Sequence, residues 1–195
     1  MNILGVKMYA HYNGASLIAD KRIVAIAEER LNRVKHSPNM FPHQSIAYCL
    51  EALALTPSDI DLVVVDQILG TREEVRMAEL FEKETRGAFA RARIEVINHH
   101  DAHAASAFFC SPFNEAAVLS IDGSGEWFRS PYGEVVTETE TLYVGRGREL
   151  SEIQKTTHVR HGAEYPFTSG IGRLYTHLTE KYIDLGRYNE GKTMG

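Results

Sequence analysis

The chain opens with short apolar runs set two by two, which is strand patterning. Ile3-Leu4-Gly5-Val6 forms one run. Ala15 to Ala19 and Arg22 to Ala27 form two more, with Asp20-Lys21 between them as a tight turn and Asn13-Gly14 supplying turn chemistry before them. Arg30 to Pro42 is polar, holds two prolines and shows no period, so it reads as a loop. From Gln44 to Leu55 the period changes to that of a helix, with Ile46, Ala47, Leu50, Leu53 and Ala54 on one stripe, ended by Thr56-Pro57-Ser58. Leu62 to Val65 is a continuous apolar run, as in a strand buried on both faces. Thr71 to Arg91 reads as a surface helix weakened at Gly87, Ile94 to Ile97 as a strand, and Ala102 to Phe109 as an Ala-rich helix. Ala116 to Ile121 and Thr141 to Val144 begin a new strand series, Ile171 to Ile183 reads as a helix, and Asn189 to Gly195 as a loop.

This order, βββ-α-β-α-β-α followed by two strands and a helix, predicts an α/β fold. The restart at Ala116 predicts two units, residues 1–115 and residues 116–195, the second similar to the first and cut short at Gly195. Composition fits a core-forming chain: 195 residues, 44% hydrophobic and 24% charged. The net charge of -5 offers no basic excess for a nucleic-acid backbone. No apolar run reaches membrane-helix length, the N-terminus lacks signal-peptide character, and Cys49 and Cys110 make no disulfide framework. A cytoplasmic protein is the expectation.

Three clusters can carry chemistry. The first is Asn98-His99-His100-Asp101-Ala102-His103, after a strand and opening a helix. On a helix, His99 and His103 stand at i and i+4 and share a face, which is the spacing two imidazoles need to hold one metal ion. The alternative is a polar helix start capped by Asn98 or Asp101. The second is Asp122-Gly123-Ser124-Gly125-Glu126, where a strand runs into an acidic residue and two glycines. Backbone N–H groups at Gly123 and Gly125 can face an anion, and Asp122 can bind a metal; a hairpin turn is the alternative. The third is the loop around His11, with Lys35 downstream: His11 can accept a proton and Lys35 can offset an oxyanion. Trp127 follows the glycine turn as packing or a pocket wall. His43, His158, His161 and His177 are scattered and carry no assigned role.

These blocks resemble the O-carbamoyltransferases, which carbamoylate antibiotics and nodulation factors. The resemblance rests on Ile3 to Val6, His11, Gly14 to Leu17, Glu28-Glu29-Arg30 through Lys35-His36, and Phe41-Pro42. It continues in His99 to Phe108, Ser111-Pro112-Phe113, Ser120 to Glu126, Gly172 to Tyr175 and Gly191 to Gly195. It implies an actin-like ATPase (ribonuclease H-like) fold, related also to enzymes that transfer threonylcarbamoyl to transfer RNA. It implies ATP and carbamoyl phosphate as reactants, carbamoyl adenylate as intermediate, and a hydroxyl-bearing small molecule as acceptor. By the same resemblance His99, His103 and Asp122 hold a divalent metal, iron by family habit, with Zn, Mn or Mg as alternatives. Gly123, Ser124 and Gly125 line the nucleotide phosphates, and Lys192 lies near the nucleotide. His11 and Lys35 face the acceptor or carbamoyl group. Two departures stand out. Tyr12 occupies a position where the family commonly has Asp, and the family's chains are much longer, so this chain is expected to lack full activity. Other readings are a non-catalytic nucleotide- or metal-binding module, a threonylcarbamoyl-type transferase or another actin-fold phosphotransferase, and a metalloprotease, which the missing Glu of His-Glu-x-x-His disfavours.

Overall fold

Ile3–Lys7 (β1), Gly14–Ala19 (β2) and Arg22–Ala27 (β3) form an antiparallel meander. The computed structural model describes residues 1–67, 77–159, 170–186 and 189–195. The β2–β3 hairpin turns on Asp20 and Lys21, both with left-handed φ (48° and 62°), as a tight two-residue turn requires. The expected turn at Asn13-Gly14 is corrected. The left-handed residues there are Tyr9 and Tyr12 (φ 56° each), while Asn13 is fully buried. Gly14 serves close strand approach instead: a Cβ there would stand 2.7 Å from the Ile26 carbonyl oxygen.

Leu62–Gln67 (β4) and Arg93–Asn98 (β5) add to the other side of β1 as parallel strands. The resulting order β3-β2-β1-β4-β5 is that of a ribonuclease H-like unit. Alternation places Leu4 and Val6, then Ala15, Leu17 and Ala19, then Val63 and Val65 in one core. In β4, Leu62 and Val64 are only half-buried, so the strand is not buried equally on both faces. Two helices cover this core. His43–Ala52 (α2) presents Ile46, Cys49, Leu50 and, just beyond it, Leu53 at helical spacing, and Met77–Thr85 (α3) presents Met77 and Phe81. Residues 71–76 of the expected surface helix lie outside the described residues, and the helix stops at Thr85, short of the expected Arg91, where Arg86 and Gly87 turn left-handed (φ 52° and 71°).

The expected loop from Arg30 onward begins with one helical turn, Glu29–Asn32 (α1). Glu28, just before it, is buried and caps α2: its carboxylate accepts from the Ser45 amide (2.7 Å), the Ser45 hydroxyl (2.6 Å) and the Gln44 amide (3.2 Å). Glu29 accepts from the His36 amide at 2.7 Å. Both glutamates of the Glu-Glu-Arg block therefore hold backbone.

The chain divides into two compact units, Met1–Asn98 and His99–Gly195. His99–Phe109 (α4) begins three residues earlier than the Ala-rich pattern indicates and packs within the second unit, its Ala104 and Phe108 meeting Val118 and Tyr143. That unit's sheet is antiparallel. Val135–Arg146 (β8) is central, with Glu115–Ile121 (β6) and Trp127–Arg129 (β7) along one edge and Glu149–Val159 (β9) along the other. Ile171–His177 (α5) runs into a π-type turn over Leu178–Tyr182 in place of one regular helix, and the expected terminal loop contains a short helix, Glu190–Met194 (α6). Among the described residues, no helix is long and apolar enough to cross a membrane.

Candidate metal and nucleotide site

The N-terminal turn of α4 and the end of β6 bring three of the expected ligands together. His99 Nε2 lies 2.9 Å from Asp122 Oδ2 and 3.0 Å from His103 Nε2. His103 Nε2 lies 3.9 Å from Asp122 Oδ2. The spacing follows from the elements: His99 and His103 are one helical turn apart with rings 4.4 Å between centroids, and Asp122 is the first residue past β6. Two donors each about 2.1 Å from one ion, at tetrahedral or octahedral angles, stand roughly 3.0–3.4 Å apart. Two of the three separations, 2.9 and 3.0 Å, are close to that spacing and the third, 3.9 Å, is wider, so the three atoms form a candidate site for a metal ion.

Electrostatics favour the ligand form of Asp122. Burial alone would raise its carboxyl, but the His99 hydrogen bond, the charges of His99 and His103 and the Gly123 N–H (2.6 Å to Oδ1) hold it well below the usual carboxylate range. His99 is almost wholly buried, while His103 is half exposed and leaves one side open to solvent.

The glycine turn differs from the expected anion nest. The Gly123 N–H is taken by Asp122 Oδ1 and the Gly125 N–H by the Glu138 carbonyl (2.9 Å), and neither glycine has a left-handed φ. The Ser124 hydroxyl is engaged by the Thr137 hydroxyl and the Trp127 indole N–H, each at 2.8 Å. Trp127 is therefore a brace for the turn. Gly125 is needed for packing, since a Cβ would stand 2.6 Å from Glu138 Cγ and 2.7 Å from His100 Nε2, whereas a Cβ at Gly123 would make only ordinary contacts, 3.7 Å from Thr176 Oγ1 and 3.9 Å from Gly172 C.

His100 points away from His99. It is fully buried, its Nδ1 shares a 2.7 Å hydrogen bond with the Thr141 hydroxyl, and burial pushes its imidazole down. The Tyr143 hydroxyl donates to Asp101 at 2.8 Å. Beneath the turn, Glu138 is fully buried and its Oε2 pairs with Lys155 Nζ at 3.1 Å. Sequence pattern overlooks this polar layer. The alternating Thr-Glu run from Thr137 to Thr141 signals a strand, but not that it faces inward.

Lys192 is exposed on α6, which is tied to α5 through Thr176–Glu190 (3.0 Å) and to the π-type turn through Thr179–Thr193 (2.6 Å). His11 and Lys35 belong to the first unit. Their loops are joined: Tyr12 N donates to His36 O (2.6 Å), Asn39 N to Ala10 O (2.8 Å) and the Asn13 amide to Ser37 O (2.5 Å). Lys35 is exposed, and it is His36 that meets the Tyr12 ring, edge to face, as His11 also does. A cleft of about 600 Å³ in the first unit, bordered by Phe41, Ile46, Glu84 and Phe89, is lined by none of these candidate residues. His161 lies outside the described residues.

The family model for the carbamoyltransferase N-terminus matches residues 2–90 and 87–195. The chain belongs to this carbamoyltransferase family. Nodulation protein NolNO of Sinorhizobium fredii is 31% identical over 207 residues, covering 96% of this chain and 27% of that protein. The uncharacterized protein sll1178 of Synechocystis is 32% identical over 231 residues, covering 100% of this chain and 34% of that one. The chain thus spans about a third or less of the length of these relatives. Among solved structures, YeaZ from Pseudomonas aeruginosa superposes with a TM-score of 0.51 at 13% identity, covering 85% of this chain and 70% of that one. That likeness agrees with the actin-like, ribonuclease H-like fold that the strand order shows.

Proposed function

We propose that the chain is the N-terminal part of an ATP-dependent O-carbamoyltransferase. In this reading a carbamoyl group from carbamoyl phosphate is carried as carbamoyl adenylate to a hydroxyl of a small-molecule acceptor. The observation that supports it is the His99–His103–Asp122 cluster beside the glycine turn, in a chain of the carbamoyltransferase family. A divalent metal held by these three residues, iron by family resemblance, would offset negative charge on the nucleotide phosphates.

The chain's own residues have definite tasks in this scheme. Asp122 is ionised across the neutral range and needs no deprotonation to bind. Gly123, which carries no side chain, lets a phosphate approach the backbone. Ser124 and Gly125 hold the turn's shape rather than touching phosphate. Lys192 adds a positive charge toward the nucleotide. His11 takes the acceptor's hydroxyl proton as that oxygen bonds to the carbamoyl carbon and the bond from this carbon to the AMP oxygen breaks. Lys35 offsets charge developing on the carbamoyl oxygen.

Metal content measured by elemental analysis tests the central element. The wild-type chain, reconstituted with iron or zinc, is expected to retain one equivalent, and the His99→Ala/His103→Ala double variant none. Retention of equal metal by both proteins would remove the site from the proposal. ATP binding to the metal-loaded chain is then the next measurement, expected to weaken in Lys192→Ala.

A further inference from the structure

Glu138 carries a carboxylate in a place with no solvent exposure, which is costly unless both oxygens are well used. One of them, Oε2, meets Lys155 from the neighbouring strand β9. The other, Oε1, accepts from the backbone N–H of Glu126 at 2.9 Å, at the far end of the Asp122–Glu126 turn. The main chain of Glu138 adds two bonds to the same segment, accepting from Gly125 N (2.9 Å) and donating to Glu126 O (3.1 Å). At the near end Asp122 N donates to the Thr139 carbonyl at 2.8 Å. Gly125 lies between Glu138 and the His100 ring so closely that no side chain fits there. His100 sits on the helix that carries His99 and His103.

We propose that Glu138 is a positioning residue: its carboxylate fastens the glycine turn to β8 and against α4, and so fixes where Asp122 meets the two histidines. This rests on the metal-site reading above. Lys155 has a different task, which is to neutralise the buried charge. Lys155 also pairs with Glu152 at 3.0 Å, so it keeps a partner when Glu138 is replaced. Conversely, when Lys155 is replaced, Glu138 Oε1 keeps its bond from Glu126 N–H.

These roles separate in a Co²⁺ titration of the full chain, read by the visible absorption of the bound ion and set beside the unfolding midpoint of each variant. Glu138→Met is expected to weaken Co²⁺ binding by about ten- to hundredfold, the usual effect of losing a group that orients a metal ligand. Its spectrum should also change. Glu138→Gln, whose amide oxygen still accepts from Glu126 N–H, is expected to restore both affinity and spectrum. Lys155→Met is expected to lower the unfolding midpoint while leaving the spectrum and affinity near wild type. Should Glu138→Met fail to fold, Glu138→Asp keeps the charge but falls one methylene short, and is expected to weaken binding with a smaller stability change. Unchanged Co²⁺ affinity in Glu138→Met or Glu138→Asp, or losses that track the midpoint across all variants including Lys155→Met, would overturn the inference and leave the metal site standing. Wild-type protein that binds Co²⁺ no better than the His99→Ala/His103→Ala variant would overturn the metal site, and the inference with it.

Discussion

Asn13 is fully buried and Asp122 partly so, and each makes a different experiment decisive. Asp122 has a depressed pKa, so its ionised form contributes stability that is fully present above the unfolded value near 3.8 and is lost as pH falls below it. In metal-free protein, Asp122→Asn is therefore expected to flatten the fall in stability between about pH 5 and 2, measured by denaturant unfolding across that range. A slope identical to wild type would show that the His99–Asp122 bond does not persist in solution. Asn13 has no ionisation to follow, but its amide donates to Ser37 O and Ala10 O and its oxygen accepts from Ala10 N. Asn13→Ala removes these three bonds, Ala10 O alone keeping a donor in Asn39 N, and is expected to cost about 2 kcal/mol in chemical denaturation. The cost falls on the joint between the His11 and Lys35 loops. Its burial was hidden in the sequence, where Asn beside Gly reads as an exposed turn.

At the level of elements, close backbone contact decides more than hydrophobic pattern does. Gly172 in α5 lies so near the Asp122–Gly123 peptide that a Cβ would stand 2.5 Å from Asp122 C and from Gly123 N, atoms that cannot move aside. Gly172→Ala is expected to displace α5 or the turn and to weaken Co²⁺ binding. Gly191, in α6, has open space around it and no left-handed φ, so Gly191→Ala is expected to be neutral or to stabilise by about 0.5–1 kcal/mol through reduced chain entropy. Paired thermal melts and Co²⁺ titrations of the two variants check this contrast. The same difference explains what could be read in advance. Strands β1, β2 and β4 and helix α2 bury apolar side chains at periods of two or 3.6, and their apolar runs are visible in the sequence. β7 has three residues, and β9 is an outer strand with mostly exposed polar positions, so neither leaves an apolar pattern. In β8, Thr137, Glu138, Thr139 and Thr141 are all buried, and their burial depends on partners from α4, β9 and the turn. The His99–His103 pair proposed to hold metal was legible because its spacing on one helix is local. Glu138 was not, because its reason lies in a loop distant along the chain.

For the whole molecule, two units with separate cores need not unfold in one step, so a single midpoint is a blunt readout of ligand binding. The three proposed metal donors all lie in the second unit, so any binding energy enters there first. An ion that binds only the folded state stabilises by mass action, about 2.7 kcal/mol at a hundred times its dissociation constant. Hydrogen exchange followed along the chain resolves where that energy appears. With zinc or cobalt added, amides of α4, β6 and β8 are expected to slow by up to about a hundredfold, the factor that 2.7 kcal/mol represents. The slowing should be greatest around Glu126, whose N–H Glu138 holds, and absent in the His99→Ala/His103→Ala variant. In Glu138→Met the metal-dependent slowing should shrink at Glu126 by more than at the middle of β8, where strand pairing is unchanged. Uniform protection of β8 and the turn in that variant would mean that the metal orders the turn without help from Glu138. The turn would then owe its shape to backbone bonds and the glycines alone.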